Sequence, residues 1–274
     1  MYKYIQLEQA EETATLWLNR PEKRNAFNED MVSELLAVLE QISRGEAIKA
    51  LIIRGKGPVF CSGADLDWLQ GVINYSFNEN HQESKKLFLL FHTLYTFPFP
   101  VVTVVHGACY GGANGLAAAS DIVLAESAAL FSFPEVRLGL VPATIAPFVI
   151  RRIGQARARE LMLTGKKFNA ATAQQYGLVT HSLPGQELES YLEKTLNQLC
   201  AAPSSALKST RWLIGKVSQA SPLEDLEDIT SRIIASARAS EEGQEGMKAF
   251  AEKRTPRWKK SNHETSSHDP STDR

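Results

Sequence analysis

The stretch GACYGGANGLAAAS, residues 107–120, lies between two short apolar segments, VVTVV at 101–105 and DIVLA at 121–125. Apolar runs of this length, bounded by turn residues, are typical of buried strands. The small residues between them allow a helix to pack closely, or a ligand to lie against the backbone. The stretch therefore predicts a strand, a tight glycine turn, a helix and a second strand, which is an α/β arrangement.

The glycine turn does not match the common nucleotide-binding signatures. Residues 107–115 contain neither G-x-G-x-x-G nor G-K-[ST]. Two interpretations remain open. The glycines serve close packing of the helix, or they present a backbone N–H at a helix N-terminus to an oxyanion.

The flanking sequence extends the alternation of strands and helices. Residues 13–19 alternate in polarity like a strand, Asn28 is a good N-cap for a helix with an apolar stripe, and residues 50–54 form another apolar run. Helical patterns follow at 83–94, 156–164, 170–176, 188–200, 204–215, 223–237 and 241–253, with a strand at 178–182. We expect an α/β core over 1–183, a helical region over 184–258 and a disordered polar tail over 259–274.

Composition excludes several classes of partner. The 274 residues are 43% hydrophobic and 22% charged, and 30 basic against 31 acidic residues give a net charge of −1. This balance predicts no nucleic-acid partner, although it allows a small basic patch for one phosphorylated ligand.

No apolar run approaches the ~18 residues that span a bilayer, so no membrane partner is expected. No signal peptide is visible, and three cysteines, Cys61, Cys109 and Cys200, predict inert thiols in a reducing, cytoplasmic setting or an organelle matrix.

Two further segments combine small residues with a carboxylate. GKGPVFCSGADL at 55–66 fits a strand-to-helix turn, or a backbone surface against which a ligand lies. FSFPEVRLGLVP at 131–142 places Glu135 among aromatic, proline and aliphatic residues. Taken alone, this segment predicts that Glu135 is an ordinary surface residue. In an apolar pocket, desolvation would raise its pKa and suit it to proton transfer.

Taken in order, these segments resemble the enoyl-CoA hydratase/isomerase (crotonase) superfamily. The resemblance covers about residues 3–258 and is carried by the spacing of the whole set rather than by one motif. The matching stretches are NRPEKRNAFN at 19–28, FCSGADL at 60–66, GACYGG at 107–112, DI at 121–122, FPEVRLGLVP at 133–142, TGKKFNAATA at 164–173 and GLV at 177–179.

The resemblance implies a fold, a ligand class and a set of site residues. The family fold is a spiral of ββα repeats followed by a helical region that forms homotrimers, or hexamers as dimers of trimers. Its ligands are acyl-CoA thioesters, with no metal and no cofactor besides the CoA of the substrate. By position, the N–H groups of Ala64 and Gly112 form the oxyanion hole and Glu135 moves protons. The positions matched to substrate contacts are Arg24, Ala26, Ser62, Asp65, Leu66, Tyr110, Pro134 and Lys253, the last lying near Phe250.

Position 115 departs from the pattern of the family's two-glutamate hydratases. Those enzymes carry a second glutamate three residues after the oxyanion-hole glycine, where this chain has Gly115. One carboxylate is compatible with syn hydration of a 2-enoyl-CoA and with Δ3,Δ2-enoyl-CoA isomerisation. The segments YGGANGL and EVRLGLVPATIAP resemble the bacterial methylglutaconyl-CoA hydratase-like branch. We therefore expect hydration of 3-methylglutaconyl-CoA or a similar branched acyl-CoA, with an isomerase and a non-catalytic acyl-CoA-binding protein as alternatives.

A glutaconyl substrate makes a physical demand on the site. Its distal carboxylate costs several kcal/mol to bury without a partner. The sequence leaves the choice of partner open among His81, Lys85, Lys86, His92, Tyr110 and Asn114.

Overall fold

A computed structural model describes residues 2–45, 47–218 and 222–258 of the chain. The disordered tail predicted for 259–274 lies outside these residues. The chain divides into two compact units, Met1–Cys200 and Ala201–Arg274, and each is described separately.

The first unit alternates strands and helices, as the sequence predicts. Its strands are β1 (Ile5–Gln9), β2 (Thr13–Leu18), β3 (Ala50–Gly55), β4 (Val101–Val105), β5 (Ala108–Tyr110), β6 (Ile122–Glu126), β7 (Leu130–Ser132), β8 (Phe168–Asn169) and β9 (His181–Leu183). Its α-helices are α1 (Glu29–Ser43), α2 (Leu66–Val72), α3 (Phe77–Tyr95), α4 (Ala113–Ala119), α5 (Ala146–Ile153), α6 (Gln155–Thr164), α7 (Ala170–Gln175) and α8 (Gly185–Cys200).

Two sheets organise this unit. The larger has six strands in the order β1-β2-β3-β4-β6-β9; β1 and β2 pair antiparallel, and the other neighbours pair parallel. The smaller has the order β5-β7-β8, with β5 and β7 parallel. Isolated parallel bridges join Phe27 to Ala64 and Cys61 to Cys109. The first bridge joins the loops that follow β2 and β3, and the second joins the loop after β3 to the middle of β5.

Local sequence patterns predict several elements correctly. Ala14, Leu16 and Leu18 of β2 are fully buried, and β4 covers the predicted residues 101–105. The Asn28 side chain accepts a hydrogen bond from the Met31 N–H at 2.9 Å, and so caps α1. The structure adds β1, β5, β7, β8 and α5, and α2 follows the segment 55–66, for which a strand-to-helix turn is one interpretation. The added strands have weak sequence signals, because β1 is a polar edge strand and β5, β7 and β8 have two or three residues each.

The first compact unit ends later than the predicted core. The sequence sets the boundary after residue 183, whereas the unit extends to Cys200 because α8 packs on the large sheet. Leu188 and Leu192 of α8 form a buried cluster with Ile52, Val102, Val104 and Leu124.

The described residues of the second unit are mainly helical, as the patterns at 204–215, 223–237 and 241–253 predict. It contains α9 (Ser204–Val217), a 3-10 turn at Leu223–Leu226, α10 (Glu227–Ala239) and α11 (Glu241–Ala251). Glu245 of α11 accepts two hydrogen bonds from the Arg254 guanidinium, at 2.7 and 2.9 Å, which fixes the chain after the helix. Across the described parts of both units, no helix combines the length and the apolar character that a membrane span requires.

Candidate active site

The turn before α4 presents a backbone N–H group. Gly111 has a φ of 53°, a left-handed conformation that favours glycine, and its N–H donates to the Ser132 carbonyl at 2.9 Å. Gly112 follows as the N-cap residue of α4, with a φ of −53°. Within the described ranges the Gly112 N–H donates to no protein acceptor. It is therefore available to a ligand at a helix N-terminus.

A second N–H group lies on the loop before α2. The Phe27 N–H donates to the Gly63 carbonyl at 2.7 Å, and the Asp65 N–H donates to the Phe27 carbonyl at 2.8 Å. These bonds hold both sides of Ala64, which is exposed and whose N–H has no acceptor among residues 2–45, 47–218 and 222–258. Gly63 lies against the first turn, because a Cβ built on it would be 3.0 Å from the Tyr110 carbonyl oxygen and 3.9 Å from the Gly111 Cα.

Glu135 also lies beside Gly111. A 3-10 turn over Glu135–Leu138 follows Pro134 and directs the carboxylate back toward the glycine turn. A Cβ built on Gly111 would be 3.3 Å from Glu135 Oε1. Glu135 Oε2 is buried and has no hydrogen-bond partner among the described residues. Burial raises the pKa of the Glu135 carboxyl above its ordinary value, as expected for a proton-transfer group.

Asp65 is the opposite kind of carboxylate. It is buried, pairs with Arg20 Nη2 at 2.7 Å and accepts the Asp67 N–H at 3.0 Å, which caps α2. Burial acts to raise the pKa of Asp65, but the Arg20 and Asp67 hydrogen bonds outweigh it and lower the pKa. Because the Asp65 side chain is used within the fold, any ligand contact at this position falls to its backbone.

Sequence reasoning did not identify Arg20. Its guanidinium is buried, and besides Asp65 it donates to the Ala26 carbonyl at 2.7 Å. It thus joins the 24–28 loop to the 62–66 loop. The sequence signal for Arg20 is its position in NRPEKRNAFN, the stretch that resembles the family. In that stretch Arg24 is the cation predicted to bind the ligand.

The predicted CoA-binding positions of the first unit come together. Arg24 has an exposed side chain and a φ of 52°, and its carbonyl accepts the Ser62 N–H at 3.0 Å. Buried Asn25 fixes this loop, because its amide donates to the Lys56 and Val59 carbonyls at 2.8 and 2.9 Å. The ligand roles predicted for this cluster stay predictions, but the structure gives it one exposed cation, Arg24, on the loop bonded to Ser62.

Two predicted substrate contacts in the first unit, Leu66 and Tyr110, are accessible. Leu66, which begins α2, is 74% exposed. Tyr110 is half-buried at the end of β5, with the Lys167 ammonium 5.6 Å from its ring centre. The predicted contact at Lys253 lies in the second unit, where Lys253 is exposed with a φ of 51° and Phe250 of α11 is 87% exposed.

The space in front of Gly115 is already occupied. A Cβ built on Gly115 would be 2.6 Å from Ile145 Cγ2 and 2.6 Å from Phe91 Cε1. Both side chains are buried, and they come from the residue before α5 and from α3. An aliphatic and an aromatic group therefore fill the place where two-glutamate hydratases are expected to carry the second carboxylate.

Most groups considered as partners for a distal carboxylate have other contacts. Lys86 pairs with Glu29 at 2.7 Å, while His81 and His92 stack on Phe77 and Phe88 with ring centres 5.9 and 6.0 Å apart. The suggestion of Asn114 is wrong. It is fully buried and its amide donates to two backbone carbonyls, so no donor remains for a ligand.

Comparison with known proteins is consistent with a site made of two backbone N–H groups and one carboxylate. The enoyl-CoA hydratase/isomerase family profile matches residues 8–261, which is most of the chain. The chain belongs to this family.

Solved structures share its fold. A crystal structure of an enoyl-CoA hydratase from Shewanella pealeana is 36% identical, with a TM-score of 0.90 over 94% of this chain and 96% of that one. Pseudomonas aeruginosa AtuE is 37% identical, with a TM-score of 0.90 over 93% of this chain and 99% of that one. The mixed α/β fold class implied by the sequence is thereby confirmed.

The family relatives differ in the reactions they are named for. A trans-2-decenoyl-acyl-carrier-protein isomerase from Streptococcus mutans is 29% identical over 89% of this chain and 94% of its own length. Hydratase and isomerase names therefore both occur among the similar proteins, and the geometry of the site has to guide the choice between them.

Proposed function

We propose that the protein is an enoyl-CoA hydratase that adds water syn across the 2,3 double bond, with Glu135 as its single catalytic carboxylate. The observation that carries the proposal is the position of Glu135. Its carboxylate lies beside Gly111, the residue before the unused Gly112 N–H, and its Oε2 is buried without a hydrogen-bond partner among the described residues. A proton-transfer group adjacent to an oxyanion site is what chemistry at the α and β carbons of a thioester requires.

The thioester oxygen is held by the N–H groups of Ala64 and Gly112. As a nucleophile adds at C3, negative charge develops on this oxygen in an enolate-like transition state. Backbone donors stabilise that charge without a protonation requirement of their own, and they are fixed by the hydrogen bonds around Phe27 and Gly111. One such donor contributes about 10²–10³ in rate in other oxyanion holes.

Glu135 performs both proton transfers. Its carboxylate accepts a proton from water as the oxygen attacks C3, and the resulting carboxylic acid delivers that proton to C2. Both steps occur on the face of the double bond that Glu135 covers, so the addition is syn. The raised pKa of Glu135 favours this dual use, because the proton-bearing form is less unfavourable than for a solvated glutamate.

The finer proposal is that the substrate is 3-methylglutaconyl-CoA or a similar branched acyl-CoA. A distal carboxylate needs a cation or a donor. Of the groups considered from sequence, Tyr110 keeps its hydroxyl without a hydrogen bond within the described ranges, and Lys167 adds a positive charge over its ring. This pair supports the proposal better than Lys86 or Asn114, whose polar groups are engaged elsewhere.

A substrate panel tests the proposal. Loss of the ultraviolet absorbance of the enoyl thioester is followed with crotonyl-CoA and with 3-methylglutaconyl-CoA. We expect hydration of both, with the larger kcat/KM for the branched acid. Preference for crotonyl-CoA would overturn the finer proposal alone. CoA binding by calorimetry, without turnover of any enoyl-CoA, would overturn both in favour of a non-catalytic acyl-CoA-binding protein.

An isomerase is the second candidate, favoured by the filled space at Gly115. Moving a double bond from C3 to C2 needs only one base that carries a proton between C4 and C2, so a second carboxylate is dispensable. The Streptococcus mutans relative is named for an isomerisation. Conversion of 3-hexenoyl-CoA to the 2-enoyl thioester, without hydration, would favour this reading.

We also propose that the chain acts without metal or separate cofactor, in the cytoplasm, as a homotrimer or a hexamer. The support is the family resemblance and a site whose donors and base are all protein groups. Light scattering at a defined protein concentration measures the assembly. The activity assay, run with and without a chelator, tests whether the reaction needs a metal.

A further inference from the structure

Asn114 is a buried polar side chain for which the mechanism above gives no role. It lies in the first turn of α4 and is fully buried. Its Nδ2 donates to the Gly111 carbonyl at 3.1 Å and to the Ser132 carbonyl at 2.9 Å. Its Oδ1 accepts a weak bond from the Cys109 thiol, with Sγ 3.6 Å away. Both amide hydrogens and the amide oxygen are therefore satisfied inside the protein.

The two carbonyl partners belong to the two halves of the candidate site. Gly111 immediately precedes the N–H donor Gly112, while Ser132 ends β7, three residues before Glu135. The Gly111 N–H also donates to the Ser132 carbonyl at 2.9 Å. One short network thus fixes the separation of the oxyanion turn and the strand that leads to the base.

We propose that Asn114 is a positioning residue that holds the Gly112 N–H and the Glu135 carboxylate in register. Its kinetic readout rests on the proposed hydratase function. Two carbonyl oxygens face the Asn114 side chain, and its amide supplies one hydrogen to each of them from a single planar group. A hydroxyl supplies one hydrogen and a carboxylate supplies none. Misplacement of reacting groups by about 1 Å costs on the order of 10² in rate.

The test compares Asn114→Ala and Asn114→Asp with Asn169→Ala. Asn169 is a matched control because its side chain also bonds backbone, accepting the Thr172 N–H at 2.9 Å to cap α7. We expect both Asn114 variants to lose about 10²-fold in kcat on crotonyl-CoA with KM changed less than about threefold. Asn169→Ala is expected to lose stability while keeping its kcat.

A second readout does not depend on turnover. 3-Oxobutanoyl-CoA forms an enolate with its own ultraviolet absorbance, and an oxyanion hole with two N–H donors lowers the pH at which the bound ligand enolises. In the Asn114 variants this midpoint should move to higher pH, while the control should match the wild type. If no enoyl-CoA is hydrated by the wild type, the proposed function fails, yet this titration still decides the role of Asn114.

A purely structural role predicts a different result. Folded Asn114→Ala protein with wild-type kcat and an unshifted enolate midpoint would overturn the proposal, whatever its Tm. If neither variant folds, Asn114→Ser keeps one donor in a smaller side chain. It should then show an intermediate loss of kcat, and wild-type kcat in that variant would overturn the proposal equally.

Discussion

Gly112 and Gly115 lie three residues apart on the same turn of α4, yet the space around them differs completely. A Cβ on Gly112 would meet only Phe27, at an ordinary 3.5 Å. A Cβ on Gly115 would be 2.6 Å from both Ile145 and Phe91. A side chain therefore fits at position 112 without a clash within the protein, whereas at 115 the core already takes the space.

This difference separates two reasons for a glycine. At Gly112 the protein leaves room that a ligand can use, and the residue's own N–H has no other acceptor in the described part of the chain. At Gly115 the absence of a side chain lets three elements pack together. The Gly112 side of the turn is thus open and presents a backbone donor, and the Gly115 side, where a second carboxylate would stand, is closed and apolar.

The largest effect is expected from Gly115→Glu. Overpacking a core costs about 1–3 kcal/mol, and burying an unpaired carboxylate adds several kcal/mol. Together these approach the whole stability of a typical domain, so we expect no folded protein. Soluble yield and thermal unfolding followed by circular dichroism provide the measurement.

Gly215→Glu is the matched control for that substitution. It places the same side chain in the middle of α9, where a Cβ has no heavy atom within 4 Å. It should fold normally and gain roughly 0.5–1 kcal/mol in helix stability. A wild-type Tm for Gly115→Glu would show that the apolar wall yields, and would remove the contrast with Gly112.

Glu135→Gln tests the open side of the turn. We expect kcat to fall by about 10²–10⁴, because the amide cannot accept and return the proton. The variant should still fold, since the buried Oε2 makes no hydrogen bond to any described residue. Steady-state hydration kinetics measure the effect. Glu160→Gln, which removes a surface pair with Lys166 and weakens the hydrogen bond from the Tyr176 hydroxyl, should leave kcat unchanged. Full activity in Glu135→Gln would show that another group is the base.

Gly112→Pro tests the second element of the open side by deleting its N–H. The φ of −53° suits proline, and no internal hydrogen bond is lost at this N–H. We expect a decrease in kcat of about 10²–10³. Gly112→Ala keeps the donor and meets Phe27 only at 3.5 Å, so its decrease should be smaller by at least about tenfold. Equal losses in the two variants would mean that space, rather than the N–H, is what matters at Gly112.

The smallest expected effect is that of Glu135→Gln on the pH dependence of the free energy of unfolding. Burial raises the pKa of Glu135 in the folded state, so the native protein holds this proton more tightly than the unfolded chain. Its stability therefore falls as pH rises from the ordinary glutamate range through the raised pKa. Relative to wild type, Glu135→Gln should be more stable at neutral pH and similar at pH 4. Urea unfolding at both pH values measures this, and a variant less stable at neutral pH would contradict the desolvation of Glu135.

Sequence patterns predict the features that depend only on residues close together in the chain. The burial of Leu16 and Leu18, strand β4 and the Asn28 cap all follow from local periodicity and side-chain chemistry. The resemblance added the correspondence of Ala64, Gly112 and Glu135, which no local pattern places side by side.

The remainder depends on contacts between distant segments. Arg20 finds Asp65 45 residues away, and Gly115 is enclosed by side chains from two other segments. The sequence leaves Asn114 among six candidate partners for a distal carboxylate, because a polar residue beside a glycine turn resembles a ligand contact. Its amide instead donates to the carbonyls of Gly111 in the turn and of Ser132 in β7, and only the positions of these groups in space show this.

The packing around Gly115 also limits the evolutionary routes open to this chain. Some glycine codons become a glutamate codon by one nucleotide change, but at position 115 the glutamate would clash with Phe91 and Ile145 unless these side chains had already become smaller. Each of those changes, made first, would leave a core cavity costing about 2–5 kcal/mol. The effect of a glutamate at position 115 therefore depends strongly on the residues at positions 91 and 145, and the first substitution in any order is destabilising. The single-carboxylate state is held in place by the core as much as by the reaction that it serves.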